Sequence, residues 1–242
     1  MSEGIDMPSE VAPPMLRATT VLWDIDGTLL RSGGVAARAF LEAVDEVTGV
    51  RPAPERRDYG GRLDPEIAEM LLTAVGAEMT RVPDVLEALK RLVSERLDEL
   101  RAQTSPCPGV EALLGKLAAA GVRQTVVTGN LAAIARWKLD AAGLIPPIEL
   151  GLGGFGDSAA NRADVARVAL ERLSAVGWKP DPAGVWIVGD TPRDLACARA
   201  IGVRCALVAT GRTPVGELAA LGADIGLPDL SDPRPLLELW RL

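Results

Sequence analysis

The feature that most constrains this chain is a rhythm of short apolar, β-prone runs separated by helical stretches. "ATTVLWD" (18–24) reads as a first strand, "RQTVVTGN" (123–130) as a second, "GVWIVGD" (184–190) as a third and "VRCALVATG" (203–211) as a fourth, with a weaker fifth in "ADIGL" (223–227). Runs that are apolar throughout, rather than alternating, belong to strands covered on both faces. Separated by helices, they predict a parallel sheet in an α/β fold. The helices are marked by their stop and start signals. Residues 109–120 run from Pro108–Gly109 to Gly121, and Asn130 is read as the cap of a helix over 131–142 that ends at Gly143. Asn161 caps 162–175, Pro192 opens 192–200, and helices at 214–221 and 233–240 finish the chain.

One interval breaks the rhythm. About a hundred residues separate the first two strands, and 35–102 read as helical throughout. Phe40, Val44 and Val47 fall on one face, Ile67, Met70, Leu71 and Ala74 on another, and Leu86, Leu89, Val93, Leu97 and Leu100 make a third stripe at helical spacing. The stripes predict helix–helix packing, hence a helical insert with its own core. "RSGG" (31–34) and "QTSPCPG" (103–109) supply the Gly, Ser and Pro of two hinges. The expected organisation is a tail at 1–17, a sheet-bearing core made of 18–32 and 106–242, and a helical cap over 33–105.

The first strand ends on Asp24 and Asp26, followed by Gly27 and Thr28. Side chains two apart on a strand share a face, so the pair crowds two negative charges, which a divalent cation would relieve. Histidine is absent from all 242 residues, which removes Ser-His-Asp hydrolysis, Cys-His proteolysis and His-ligated metals. Cys107, Cys197 and Cys205 have no CxxC spacing and read as reduced core thiols rather than a zinc site. With a net charge of −7 and no basic cluster, the chain is not expected to bind nucleic acid. "MSEGIDMPSEVAPPMLR" is acidic and Pro-rich, unlike a signal peptide, and no apolar run approaches the ~18 residues of a membrane span. A cytoplasmic protein is the expectation.

These residues carry a resemblance. "DIDGT" after an apolar strand is similar to the first signature of the haloacid-dehalogenase-like hydrolases, "VVTGN" (126–130) to the second and "IVGDTPRDLACARAIG" (187–202) to the fourth. The insert after the first strand resembles the family's first-type cap. What the resemblance implies is a Rossmann-like core, a helical cap and Mg²⁺-dependent hydrolysis of a small phosphate ester through an aspartyl-phosphate. Asp24, Asp26 and Asp190 can hold a Mg²⁺ in oxygen ligands, with Asp194 acting directly or through water. By the family pattern Asp24 is the nucleophile and Asp26 the alternating acid and base. Thr128, with Gly129 and Asn130, would hold phosphate oxygens.

The family's third signature usually brings a lysine to a helix start. Here that helix opens on Asn161–Arg162, so Arg162 is nominated to supply the positive charge, with Lys179 in "GWKPDP" as the alternative. "GLGGFG" (151–156) matches a dinucleotide fingerprint only in form, because "DSAAN" precedes the helix; it reads as a flexible loop feeding Arg162 inward. "GGRLDPE" (60–66) resembles a cap loop of phosphoglycolate-phosphatase-like members, and Arg62 becomes the candidate for a distal anion of the substrate. Asp64–Pro65 is equally a helix start. Leu63 departs from the polar residue of many relatives. The rival readings are a sugar phosphomutase of the β-phosphoglucomutase type and a non-catalytic phospho-acceptor switch. The oligomeric state is left open.

Overall fold

A computed structural model of the chain describes residues 17–53 and 59–242. The tail expected at 1–17 therefore lies outside the described residues except for Arg17. In chain order, β1 (Thr20–Trp23) and a short β2 (Leu30–Arg31) lead into α1 (Val35–Thr48), α2 (Asp64–Ala74), α3 (Val82–Ser94) and α4 (Leu97–Gln103). Then come β3 (Ser105–Pro106), α5 (Val110–Ala119), β4 (Arg123–Val126), α6 (Ala132–Ala141) and α7 (Arg162–Ala175). The chain closes with β5 (Val185–Gly189), α8 (Pro192–Ile201), β6 (Arg204–Val208), α9 (Val215–Ala220), β7 (Ile225–Leu227) and α10 (Arg234–Leu239).

Five strands form one parallel sheet in the order β4-β1-β5-β6-β7. Alternate residues of each strand serve opposite faces, and both faces are buried. Val21, Trp23, Trp186, Val188, Ala206 and Val208 point to a layer made by α5, α6 and α10, where Trp240 packs 5.6 Å from Trp186. Leu22, Ile187 and Leu207 point the other way, onto Val165, Ala169, Leu195 and Ala198 of α7 and α8. The two-sided burial explains why the runs carry no polar alternation. Each of the three cysteines is buried and unpaired. Among the described residues no helix is long and apolar enough to cross a membrane.

The chain leaves the sheet after β1 and returns before α5 through β2 and β3, which pair antiparallel with Leu30 opposite Pro106 and Arg31 opposite Ser105. The segments expected to be hinges are thus zipped to each other. Between them, α1–α4 bury Val35, Phe40, Val44, Ile67, Leu71, Val85, Leu89 and Leu100 in a core of their own, which Leu131 and Ile134 of the sheet-bearing half complete.

Two expectations for this region are corrected. Residues 35–102 are not helical throughout: 50–53 and 59–63 lie outside any helix. The stripe from Leu86 to Leu100 is shared by two helices, because the chain breaks at Glu95–Arg96, where the Arg96 guanidinium pairs with Glu42 of α1. The "GLGGFG" segment is also no flexible loop. Gly154 bridges to Val127 beside β4, and a Cβ there would lie 2.0 Å from the Val165 carbonyl oxygen of α7. Close packing, not mobility, explains the glycine.

Leu22 lies on β1, between β4 and β5, and is fully buried. Leu22→Ala should cost about 2–5 kcal/mol of stability with an unchanged denaturant slope, as measured by urea unfolding.

Candidate active site

Taken in order along the chain, the sheet strands run 2-1-3-4-5 across the sheet, so chain progression reverses around β1. At such a reversal the loops after adjacent strands diverge and leave a crevice at the carboxyl ends. Asp24 follows β1, Thr128 follows β4 and Asp190 follows β5. All three line one large cavity, of about 930 Å³, between the sheet and the helical layer.

Asp24, Asp190 and Asp194 are buried, and each offers an oxygen within 4.8 Å of the others. Arg162 enters from the first turn of α7. Asn161 caps that helix, its side-chain oxygen accepting from Asp164 N–H at 3.0 Å, and so fixes where Arg162 begins. The guanidinium Nη2 donates to Asp24 Oδ1 at 2.7 Å and to Asp194 Oδ1 at 2.5 Å. Nε of the same group is buried with no acceptor among the described residues. Asp194 Oδ2 accepts from the Thr191 N–H and hydroxyl, closing a capping box on α8. Both Asp194 oxygens are therefore engaged by protein donors. Asp194 is absent from the cavity lining, whereas Asp24 and Asp190 are in it.

The electrostatics follow from this crowding. Burial raises the Asp24 carboxyl above the ordinary range; Arg162 opposes the rise, and Asp194 and Asp26 add to it. Burial likewise raises Asp190, helped by Asp24 and Asp194, while a hydrogen bond from Thr28 pulls the other way. Desolvation works against the Arg162 charge, but Asp24 and Asp194 outweigh it and push its pKa up. Among the described residues, Arg162 is the cation paired with this cluster, through Asp24 and Asp194. A hard dication with oxygen preference fits that donor set.

Asp26 belongs to a different network. It lines the cavity with its side chain 44% exposed, and its carboxylate is not part of the three-acid cluster. Lys138 Nζ donates to Asp26 Oδ2 at 2.6 Å and to Asn130 Oδ1 at 2.6 Å. Asn130 Nδ2 donates to Asp26 Oδ2 at 2.7 Å and to Thr128 Oγ1 at 2.9 Å. Against the cost of desolvation, Lys138, Asn130 and Ser32 hold the Asp26 carboxyl below its ordinary range. Lys138 and Asn130 both donate to Oδ2, so one edge of the Asp26 carboxylate is held by the protein.

Asn130 is also not the cap of α6. Its amide is committed to Asp26, Thr128 and Lys138; the N-cap position is Leu131, and the Ala132 N–H that follows faces Asp157 at 3.3 Å. Asp64, at the start of α2, accepts from the Leu131 N–H through Oδ2 at 2.8 Å while its own N–H donates to the Gly129 carbonyl at 2.8 Å. Burial, outweighing Lys138, lifts the Asp64 carboxyl to about 7. The loop before α2 lies directly on Gly129, where a Cβ would sit 1.9 Å from the Arg62 carbonyl oxygen. Glycine is required there by contact.

Of the residues nominated from sequence, Asp24, Asp26, Thr128, Gly129, Asn130, Arg162, Asp190 and Arg62 all line the cavity. Leu63 does not; it is 1% exposed and packs among Leu22, Val127 and Val165. Lys179 is also elsewhere, in a small hollow with Trp178, Pro180, Pro182 and Val185 at the amino end of β5. The acids lie at that strand's carboxyl end. The geometry brings Arg162, not Lys179, to Asp24. Lys138 was missed, though it left a signal: it falls four residues after Ile134, on the buried side of α6, where an unpaired lysine would be costly.

The model of the haloacid dehalogenase-like hydrolase family matches residues 21–199. A phosphoglycolate phosphatase of Rhodospirillum rubrum is 32% identical over 223 residues, covering 88% of this chain and 89% of that protein. A plasmid-encoded phosphoglycolate phosphatase of Cupriavidus necator is 31% identical over 236 residues, covering 96% of this chain and 98% of its own length. Among solved structures, CbbY from Rhodobacter sphaeroides in complex with phosphate superposes with a TM-score of 0.71 at 22% identity, covering 89% of this chain and 96% of that one. The family match, the relatives and the shared fold agree with the acids at the strand ends: the chain belongs to the haloacid dehalogenase-like hydrolases.

Proposed function

We propose that this chain is a Mg²⁺-dependent phosphatase that hydrolyses a phosphomonoester through a phosphorylated Asp24. The observation that carries the reading is Asp24 itself, a carboxylate at the cavity floor with Oδ1 bound by Arg162 and with Asp190 and Asp194 close by. Relatives named phosphoglycolate phosphatase support the reaction class. Asp24 and Asp190, which reach the cavity, would hold the ion, and Asp194 would act mainly by fixing Arg162. Bound there, a dication offsets the repulsion of the acids and neutralises charge on the phosphoryl oxygens.

The protein's own groups then account for the steps. An Asp24 oxygen attacks phosphorus as the bond to the leaving oxygen breaks, and Asp26 delivers a proton to that oxygen. Water next attacks the same phosphorus and gives its proton to Asp26. The bond to Asp24 breaks, and inorganic phosphate is released. The resting Asp26 is held ionised by Lys138; a phosphate dianion arriving beside it favours the protonated form that the first step uses. Lys138 and Asn130 keep its carboxylate in one orientation through both steps. Thr128, at the end of β4, would face the phosphoryl oxygens, and Arg162 would balance their charge at Asp24.

Asp24→Asn should abolish phosphate release, a fall of about 10³ or more in kcat, and should abolish any acid-stable phosphoprotein trapped by rapid quench. Phosphate recovered on another residue would refute the assignment. Arg162→Ala should lower kcat about 10²–10³-fold and Arg162→Lys should recover much of the loss, while Lys179→Ala stays within about twofold of wild type. Steady-state kinetics on folded variants decide this. Chelation with EDTA should stop turnover. The raised carboxyls also set a pH dependence. Without a dication, the stability they contribute is complete below an unfolded value near 3.8 and is lost as pH rises through their higher folded values. Mg²⁺ competes with those protons, so its stabilisation in thermal melts should be larger at pH 8 than at pH 6. Equal shifts at both pH values would contradict the metal site.

A further inference from the structure

The cavity is much larger than a phosphate and a short acid require. Its volume of about 930 Å³ lies near the top of the roughly 300–1,000 Å³ range of clefts that bury drug-sized ligands. The acids, Thr128 and Arg162 form one end. The facing wall is built by two helices and is apolar: Ala36, Ala37, Phe40 and Leu41 from α1, with Ile67 and Leu71 from α2. These fall in i, i+4 pairs, 36/40, 37/41 and 67/71, so each helix presents a continuous stripe to the cavity. Ala36 and Ala37 are short where longer side chains would close the space.

Among the described residues of α1 and α2, the one charged side chain that lines the cavity is Asp64, at the first position of α2, and it is committed to the Leu131 N–H. Arg38, between Ala37 and Ala39, turns outward to the Gly33 carbonyl and to Glu99 at 2.5 Å. Glu42 is paired with Arg96. The arginines that line the cavity, Arg31, Arg62, Arg162, Arg193 and Arg212, all lie outside α1 and α2. A carboxylate on a leaving group directed at that wall would meet methyl and phenyl groups, at the cost of its hydration.

We propose that the phosphomonoesters taken by this site have a leaving alcohol with a bulky apolar body, seated against α1 and α2, rather than a two-carbon hydroxy acid. The proposal rests on the phosphatase reading and specifies its substrate class. It departs from the substrate in the names of the chain's relatives.

Purified full-length protein with Mg²⁺ is assayed for phosphate release from ethyl phosphate, 2-phosphoglycolate, 2-phenylethyl phosphate and 4-nitrophenyl phosphate. Ethanol and 2-phenylethanol are leaving groups of similar basicity, so their comparison isolates the fit of the body. kcat/KM for 2-phenylethyl phosphate should exceed those for ethyl phosphate and phosphoglycolate by roughly tenfold or more, mainly through KM. Ala37→Glu, which places a charge in the wall at an exposed helix position, should reduce the phenylethyl-to-ethyl ratio by about fivefold or more; the ratio is readable at any residual activity. Preference for phosphoglycolate, or a ratio that Ala37→Glu leaves unmoved, overturns the proposal and leaves the phosphatase reading standing. Silence toward all four esters, 4-nitrophenyl phosphate included, overturns both.

Discussion

One guanidinium holds the site together. Arg162 lies between Asp24 and Asp194, buried with them, at a point where two strands and a helix start each deliver an acid. Three carboxylates so close would not stay ionised together in a low-dielectric crevice without compensation. The protein provides half the answer through Arg162 and leaves the rest to what enters the cavity. Much of the local structure serves that single group: Asn161 fixes the helix end it departs from, and the capping box of α8 fixes the acid that receives it. Among the described residues, removing the charge would leave Asp190 and Asp194 only the neutral hydrogen bonds from Thr28 and Thr191.

A second cation performs the parallel task for Asp26. Lys138 and Arg162 divide the acids between them, one on each side of β1's end, so that Asp24 and Asp26 differ in environment though only Ile25 separates them. Burial lifts one carboxyl, while Lys138 and Asn130 hold the other down. Two acids of the same kind thereby acquire different chemistry, which is what a nucleophile and a proton carrier require.

How much of this was legible beforehand depends on range. The strands announced themselves because burial on both faces leaves unbroken apolar runs, and the acids because they stood where each run stopped. Arg162 was readable since a helix start is a local signal. Lys138 was not singled out, because its partner lies 112 residues away and only the fold brings them together. Asn130 misled for the same reason: an asparagine before a helix looks like a cap, yet the N-cap is Leu131, whose N–H goes to Asp64, and the Asn130 amide serves Asp26. The break at Glu95–Arg96 was invisible because the apolar spacing runs across it undisturbed. Local chemistry was written in the sequence; exchanges between distant segments were not.

The β2–β3 ribbon ties together two points 75 residues apart, while β1 finds its sheet partner β4 about a hundred residues downstream. Contacts inside α1–α4 are short in sequence, whereas every pairing of β1 is long. Loop-closure cost makes short-range contacts the faster to form. Packing of α1 against α4 brings Leu30 and Pro106, at the two ends of the helical layer, close enough to pair. The ribbon then acts as a splice: with Leu30 and Pro106 paired, the loop that β1 must close to reach β4 is shorter by the length of the helical layer.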